Sequence, residues 1–561
     1  MSLPLLALAF IVLLAVGYRL YGNLVARQFA LDDARLTPAH TKADGVDYVA
    51  TPPFYLFGQH FSAIAAAGPI AGPIIACQYF GWLPCLIWIS FGVILIGAVH
   101  DFSSLAASIR HEGRSIAEIA REQLGTGSGR AMLAFIWIAL IYVVVAFADI
   151  TAGSFVTGTQ ELTQVASGFH PGGAVAAASV MYLALSVVMG LVQRWFKPPL
   201  WLITLIFVPA TFAVAWAGTH VSEAFLLTKT AWALLILGYC AVASVVPVWA
   251  LLQPRGYLGG FVLYTALALG VFGMLFGGYE IQQPAFKGWD AGGATGLLFP
   301  FLFVTIACGA CSGFHGLVCS GTTSKQVDKE GHAKPIGYGG MLCEGFVAMI
   351  ALVTIMILGS DDQAANLPPG TVYGNGIGRF LTLIIGEQNY AFAITFGAMA
   401  FSTFVFDTLD VSTRLGRMIL QELFRAPGRA GAIVSTLITL AIPAALLGFA
   451  TEGMWRKFWI LFGASNQLLA ALTLLIITVW LARSKRRIVF TLPPMIFVLG
   501  ITLYALVRVV MSNLATTEGL DIALLNASAA IALVLLALYM AGAAVLRVMS
   551  DRRAAPVRVD E

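Results

Sequence analysis

Residues 54–76 read FYLFGQHFSAIAAAGPIAGPIIA. The run is apolar and just long enough to cross a bilayer, which takes about 20 residues for a ~30 Å hydrocarbon core. Its middle is Ala67-Gly68-Pro69-Ile70-Ala71-Gly72-Pro73. Pro69 and Pro73 lack an amide proton and clash with the preceding turn. Gly68 and Gly72 lower the cost of opening the backbone. The pattern predicts a helix interrupted near mid-membrane, with a simple proline kink as the alternative. Unpaired backbone in hydrocarbon is costly unless protein or a polar cavity receives it. An interrupted span is therefore a candidate ligand site.

The whole chain shares this character. Of 561 residues, 59% are hydrophobic and only 11% charged, against about 25% charged in soluble domains. The expected class is an all-α polytopic membrane protein. Fifteen spans are expected, at 3–21, 54–76, 83–109, 131–150, 174–193, 199–219, 230–251, 258–277, 296–320, 340–359, 388–410, 431–450, 458–482, 491–511 and 524–546. The first has no basic residue ahead of it and lacks a cleavage site, so it reads as a span and not a signal peptide. The net charge of +4 does not indicate nucleic acid, because the basic residues lie in short loops. The seven cysteines sit in or beside apolar spans and form no secreted disulfide framework. No cofactor motif, nucleophile–base pair or HExxH motif is present, so an enzyme is not expected.

Basic residues decide orientation. Arg110, Arg114, Arg121 and Arg130 mark one loop, Lys325, Lys329 and Lys334 a second, and Arg414, Arg417, Arg425 and Arg429 a third. The sequence RSKRR at 483–487 and the tail with Arg547, Arg552, Arg553 and Arg558 complete the basic side. The alternate loops 151–173, 360–378 and 512–523 contain no Lys or Arg; Lys229, Lys287, Arg456 and Lys457 are the exceptions on that side. The expectation is an outer N-terminus and a cytoplasmic C-terminus.

A second stretch, FPFLFVTIACGACSGFHGLVCSGTTSKQ at 299–326, repeats the interruption in the opposite direction. Gly309, Gly313 and Gly316, with Ser312 and His315, break the helix near its middle, and Ser312 is placed to cap a second half-helix starting near Gly313. The CxxC of Cys308 and Cys311 reads as small packing residues or as a redox pair. Farther along, His100 and Asp101 read as a proton-transfer pair or as polar residues near a helix end. Asp149 is open to burial or to solvation, and Glu344 lies near the inner end of its span. Asp407, Asp410 and Arg414 share one face; Asp410 and Arg414 form an i,i+4 pair, while Asp407 has no local partner. Asn466 and Gln467 are expected to bond between helices.

Each interrupted span starts a set of five, 54–219 and 296–482, with opposite orientation. This divides the chain into 1–53, the first repeat, an extra hairpin at 220–295, the second repeat, and a C-terminal hairpin and basic tail at 483–561. Paired interrupted helices in inverted halves point to a transport site at mid-membrane.

The motifs HFSAIAAAGPIAGP, GAVHDF, GYGGMLCEGFVA, TLDVSTRLGR and LFGASNQLLA, with the second interrupted stretch, resemble the carbon starvation protein A family of bacterial inner-membrane proteins, from about residue 10 to 490. Gln59 and Cys311 depart from its pattern. The resemblance implies a LeuT-like fold and proton-driven uptake of pyruvate or of short peptides. The expected function is import of a small carboxylate, pyruvate foremost, by proton symport; a peptide importer and a transport-like sensor are the alternatives. Expected substrate-binding residues are Gly68, Pro69, Gly72, Gly309, Ser312, Gly313 and His315. Expected coupling residues are Ser402, Thr403, Asp407 and Asp410, with Na+ as an alternative ion held by Ser402, Thr403 and carbonyls near Gly68.

Overall fold

The structure is a computed structural model that describes residues 2–45, 47–156, 169–247, 249–292, 296–360, 362–449, 455–516 and 521–554. Among the described residues it is built of helices and connecting turns. The principal helices are α1 (Leu3–Phe29), α2 (Pro53–Ile64), α3 (Gly68–Phe80), α4 (Trp82–Arg110), α5 (Thr126–Phe155), α6 (Pro171–Phe196), α7 (Leu200–His220), α8 (Lys229–Val245) and α9 (Leu252–Phe276). They continue with α10 (Leu298–Thr305), α11 (Gly313–Gly321), α12 (Glu330–Met356), α13 (Pro369–Ile385), α14 (Glu387–Phe424), α15 (Gly428–Gly448), α16 (Trp455–Arg483), α17 (Leu492–Thr516) and α18 (Ile522–Ala554).

Twelve of these are long and apolar enough to cross a membrane, and the pair α2–α3, bent by 43°, makes thirteen. The expected count of fifteen differs at two places. The segment 230–251 forms only the 17-residue α8, which ends at Val245 just before Pro247. The segment 296–320 is two helices of 8 and 9 residues, α10 and α11. Two further differences lie in expected loops. Residues 369–385, read as part of an outer loop, form α13, whose glycines at 370, 374, 376 and 378 pack against α14 and neighbouring side chains. The span expected at 388–410 continues to Phe424, so Arg414 and Arg417 sit on a helix. Part of the loops 151–173 and 512–523, and Arg558, fall outside the described residues.

Apolar surface sorts the helices into layers. The most apolar stretch of α16 is wholly enclosed, and α12 and α14 are nearly so. Helices α1, α7, α15, α17 and α18 turn most of their surface outward, with Leu5, Leu205, Leu437, Met511 and Leu535 exposed. Lipid tails are as apolar as these side chains, so such faces are at home in a bilayer. Within the core, α3 packs on α12, α5 on α14 and α16, and α11 on both α4 and α16.

Three of the four charges that break the basic-loop pattern have local partners. Lys229 Nζ lies 2.9 Å from Asp149 Oδ1, and Asp149 is buried. Lys287 Nζ donates to the Gln78 carbonyl at 3.2 Å, and Arg456 stands 5.3 Å over the Tyr79 ring. The loop charges predict the sidedness of two exposed positions, Gln363 and Arg429. In a cysteine-free background, a membrane-impermeant maleimide should label Gln363→Cys in intact cells and Arg429→Cys only after permeabilisation. The opposite pattern would invert the topology.

Candidate functional site

The first interruption lies at Ala65–Ala67, before both prolines. The second half-helix therefore starts at Gly68, one turn earlier than the prolines suggested. Pro69 falls in its first turn, where a missing N–H leaves no bond unmade. Gly68 lies against Cys308, and a Cβ on Gly72 would stand 2.7 Å from the Thr305 carbonyl oxygen. Gly309 packs in return with its Cβ position 3.6 Å from Pro69 Cα. The two interruptions thus meet directly. Gly68, Pro69, Gly72 and Gly309 line this contact and Ser312 lies beside Cys308, while Gly313 packs on α16 and His315 pairs with α4 and α12; all seven are buried.

The second interruption, residues 306–312, shows where opened backbone finds its partners. Gln467 Nε2 donates to the Phe303 carbonyl at 2.9 Å, Trp459 Nε1 to Thr305 at 3.0 Å, and Trp88 Nε1 to Ile306 at 3.3 Å. Ser312 occupies the N-cap position of α11 but does not cap it. The Phe314 N–H donates instead to Asn466 Oδ1 at 2.9 Å, and Asn466 Nδ2 donates to Ser312 Oγ at 3.1 Å and to Cys308 Sγ at 3.2 Å. Asn466 reaches the amide because Gly313 lets the α11 start sit on the α16 backbone; a Cβ there would lie 2.5 Å from Ala470 N. Gly313 is therefore a packing contact as well as an expected site residue. Cys308 and Cys311 are free thiols, with Cys308 serving as an acceptor and packing surface.

His315 is the third residue of α11. Its Nδ1 lies 2.8 Å from Asp101 Oδ2, and its Nε2 3.1 Å from Glu344 Oε2. Asp101 Oδ1 lies 2.7 Å from His100 Nδ1. All four side chains are buried. His100 and Asp101 are therefore not solvated helix-end residues. They join α4 to α11, and Glu344 joins α11 to α12. Sequence reasoning noted these residues one at a time and missed their association; the signal was the presence of ionisable groups inside apolar runs on three spans.

The acidic face of α14 has a different partner from the one expected. Arg255, on α9, places Nη2 2.6 Å from Asp407 Oδ1 and Nη1 2.8 Å from Asp410 Oδ2. Tyr239 donates to Asp410 Oδ2 at 2.7 Å. Arg414 does not pair with Asp410. It donates to the carbonyls of Ala243 and Val246 at 2.7 and 2.9 Å, at the C-terminal end of α8, where the helix dipole favours a cation. Ser402 bonds Ser179 at 2.7 Å and the Met399 carbonyl at 2.9 Å. A Cβ on Gly259 of α9 would lie 3.4 Å from the Thr403 methyl. These hydroxyl residues face α6 and α9, whereas Gly68 faces Cys308 and Phe147.

Charged clusters buried between the spans of a multi-pass helical bundle are the kind that mark substrate or ion pathways and proton relays. A family model described as carbon starvation protein CstA matches residues 1–375 and 363–505. The chain belongs to that family. It is 33% identical to the peptide transporter CstA of Helicobacter pylori, over 88% of this chain and 80% of that one. It is 30% identical to the pyruvate/proton symporter BtsT of Escherichia coli, over 90% and 81%. A crystal structure of a mutant manganese transporter from Eremococcus coleocola superposes with a TM-score of 0.43 at 14% identity, over 91% of this chain and 99% of that one.

Two substitutions test this geometry. Asn466→Ala orphans the Phe314 N–H and should cost about 1–3 kcal/mol, measured by thermal unfolding in detergent; Ser312→Ala should cost less. Arg255→Met leaves the buried Asp410 and the half-buried Asp407 without their cation, and losing one partner of a buried pair costs about 3–5 kcal/mol. Adding Asp407→Asn to that variant should recover part of the loss.

Proposed function

We propose that the chain imports a small carboxylate of the pyruvate class by proton symport, with the carboxylate held between the two interrupted spans. The direct contact of those interruptions in the core is the observation that carries this reading. Helix N-termini present free N–H groups and a partial positive charge, worth about 0.3–1 kcal/mol each and up to ~2 where partly buried. The start of α3 at Gly68 and the start of α11 at Gly313 supply two such ends without an Arg or Lys. Asn466 already holds one N–H of α11, so an incoming carboxylate would replace its side-chain oxygen there. The interruptions are packed shut in this conformation, so binding requires them to part, as alternating access demands.

The same reading takes 54–219 and 296–482 as inverted repeats. Three features support it. Each set opens with an interrupted span. The second half of each interrupted span packs on the second helix of the other set, α3 on α12 and α11 on α4. Each second helix also contains a π-helical segment, Val93–Gly97 in α4 and Lys334–Gly339 in α12, of the kind frequent at functional sites. The proposed setting is a bacterial inner membrane, with the N-terminus outside and the C-terminus in the cytoplasm.

Proton coupling and pyruvate draw support from the Escherichia coli relative. The Helicobacter pylori relative, a peptide transporter, favours short peptides as a second reading. Proteoliposomes decide between them. Labelled pyruvate should accumulate under an inward pH gradient and leak when the gradient is collapsed. Pyruvate should compete for uptake far better than pyruvamide, its uncharged amide. Accumulation of dipeptides with no effect of pyruvate would establish the peptide reading instead.

A further inference from the structure

The contacts of Asp101, His315 and Glu344 bear on how many protons the trio holds. A neutral imidazole carries one N–H. Both ring nitrogens of His315 face carboxylate oxygens, at 2.8 and 3.1 Å. A neutral ring between two carboxylates would turn a lone pair on one of them. An imidazolium avoids that repulsion, with one ring N–H donated to Asp101 and the other side of the ring in ion-pair contact with Glu344. Two carboxylates and one imidazolium still leave one negative charge, in a place with 0–1% side-chain exposure.

The neighbours do not cancel that charge. His100 faces Asp101 through Nδ1, while its Nε2 is buried without a hydrogen-bond partner. His60, on α2, faces Asp101 and His315 and bonds Thr323 Oγ1 at 3.0 Å through Nδ1; its Nε2 also lacks a partner. The buried thiols of Cys308, Cys311 and Cys319 belong to the same titratable surroundings. Both carboxylate oxygens of Glu344 are buried without a hydrogen-bond partner, Oε2 meeting His315 Nε2 as an ion-pair contact at 3.1 Å. An unbalanced charge in such a setting is expensive, and a proton on Glu344 removes it. The Arg255 cluster has the same formal imbalance but a different solution: its second carboxylate, Asp407, keeps 25% of its side chain exposed.

We propose that Glu344 is the group that takes up and releases the coupling proton, with His315 as its fixed countercharge. This rests on the proton-symport reading and assigns the site within it. The proton passes from water to a Glu344 carboxylate oxygen, making a carboxylic acid, and returns to water on the other side. Loading weakens the ionic tie between α12 and α11, and α11 is the half-helix that begins at the second interruption. Coupling thus reaches the substrate site through one short element.

The first test needs no substrate. In the purified protein, infrared difference spectra between high and low pH should show a protonated-carboxyl band. Glu344→Gln should lose it, while Glu344→Asp, which keeps a carboxyl, and Asp407→Asn should retain it. The second test separates coupling from binding: in proteoliposomes Glu344→Gln should lose accumulation driven by the pH gradient while exchange of internal for external substrate persists. A band that survives in Glu344→Gln, or vanishes in Asp407→Asn, overturns the assignment, as does undiminished accumulation by Glu344→Gln. If the parent protein moves neither pyruvate nor peptides, the substrate reading fails and the spectra still decide the proton site.

Discussion

Residues 306–312 cross the interior of the bundle outside any helix, and the rest of the core is arranged to receive the backbone groups left open at the start of this stretch and at the helix ends beside it. Each such group costs several kcal/mol in hydrocarbon if nothing bonds it. Three of the four side chains that bond them belong to α16: Trp459, Asn466 and Gln467. They fall at i, i+7 and i+8, which is one face of a helix. That face fixes the rotation of α16, and its enclosure at the centre of the bundle follows. Trp88 closes the remaining carbonyl from the far side, so α4 is held to the same segment. Where a polar side chain is not used, glycine is: Gly72 and Gly313 let α3 and α16 approach the open stretch at backbone distance.

Two buried clusters share one charge pattern, a cation between two carboxylates, and differ in the cation. Arginine does not give up its proton in proteins, so Arg255 stays a cation between Asp407 and Asp410. Its bonds, with those of Arg414 and Arg417 to the α8 carbonyls, pin the α8–α9 hairpin to α14. That hairpin reads as a fixed brace. Histidine is the side chain whose ordinary range lies near neutral pH, and its two nitrogens can bridge helices in one protonation state and release one of them in another. The bundle places it on the short half-helix at the second interruption, and places arginine at the seam that does not need to move.

The positions of the apolar spans, both interruptions and the start of α11 at Gly313 were legible because each is a local pattern: run length, Pro and Gly spacing, Ser before Gly. Helix α13 was not, since its four glycines and Asn375 lower both helix propensity and hydropathy, and its helicity comes from packing on α14. The partners of charged residues were the least legible. Asp410 and Arg414 satisfy the i,i+4 rule, yet Asp410 takes Arg255 from 155 positions away, where PRGY reads as a turn. His315 and Asp101 are separated by 214 residues. A single sequence marks such groups as expensive and does not say which of them share a site. The same limit applies to Ser312, which has the right residue type at the N-cap but yields the amide to Asn466 from another helix.

Helix α11 has nine residues, below the ~12–15 at which an isolated helix becomes even marginally stable in water. Its place is therefore set by its attachments. Asn466 holds its first turn, His315 ties its middle to α4 and α12, and Ser320 Oγ accepts from the Ile116 N–H at 3.1 Å near its end. An element held at a few discrete points moves by exchanging those bonds and not by bending, because the packed surfaces between them resist continuous deformation. One of those points, Glu344, is the side chain whose ionic bond a single proton removes. In the proposed mechanism, bistability and proton sensitivity arise from the same shortness of the half-helix that opens the backbone to a ligand.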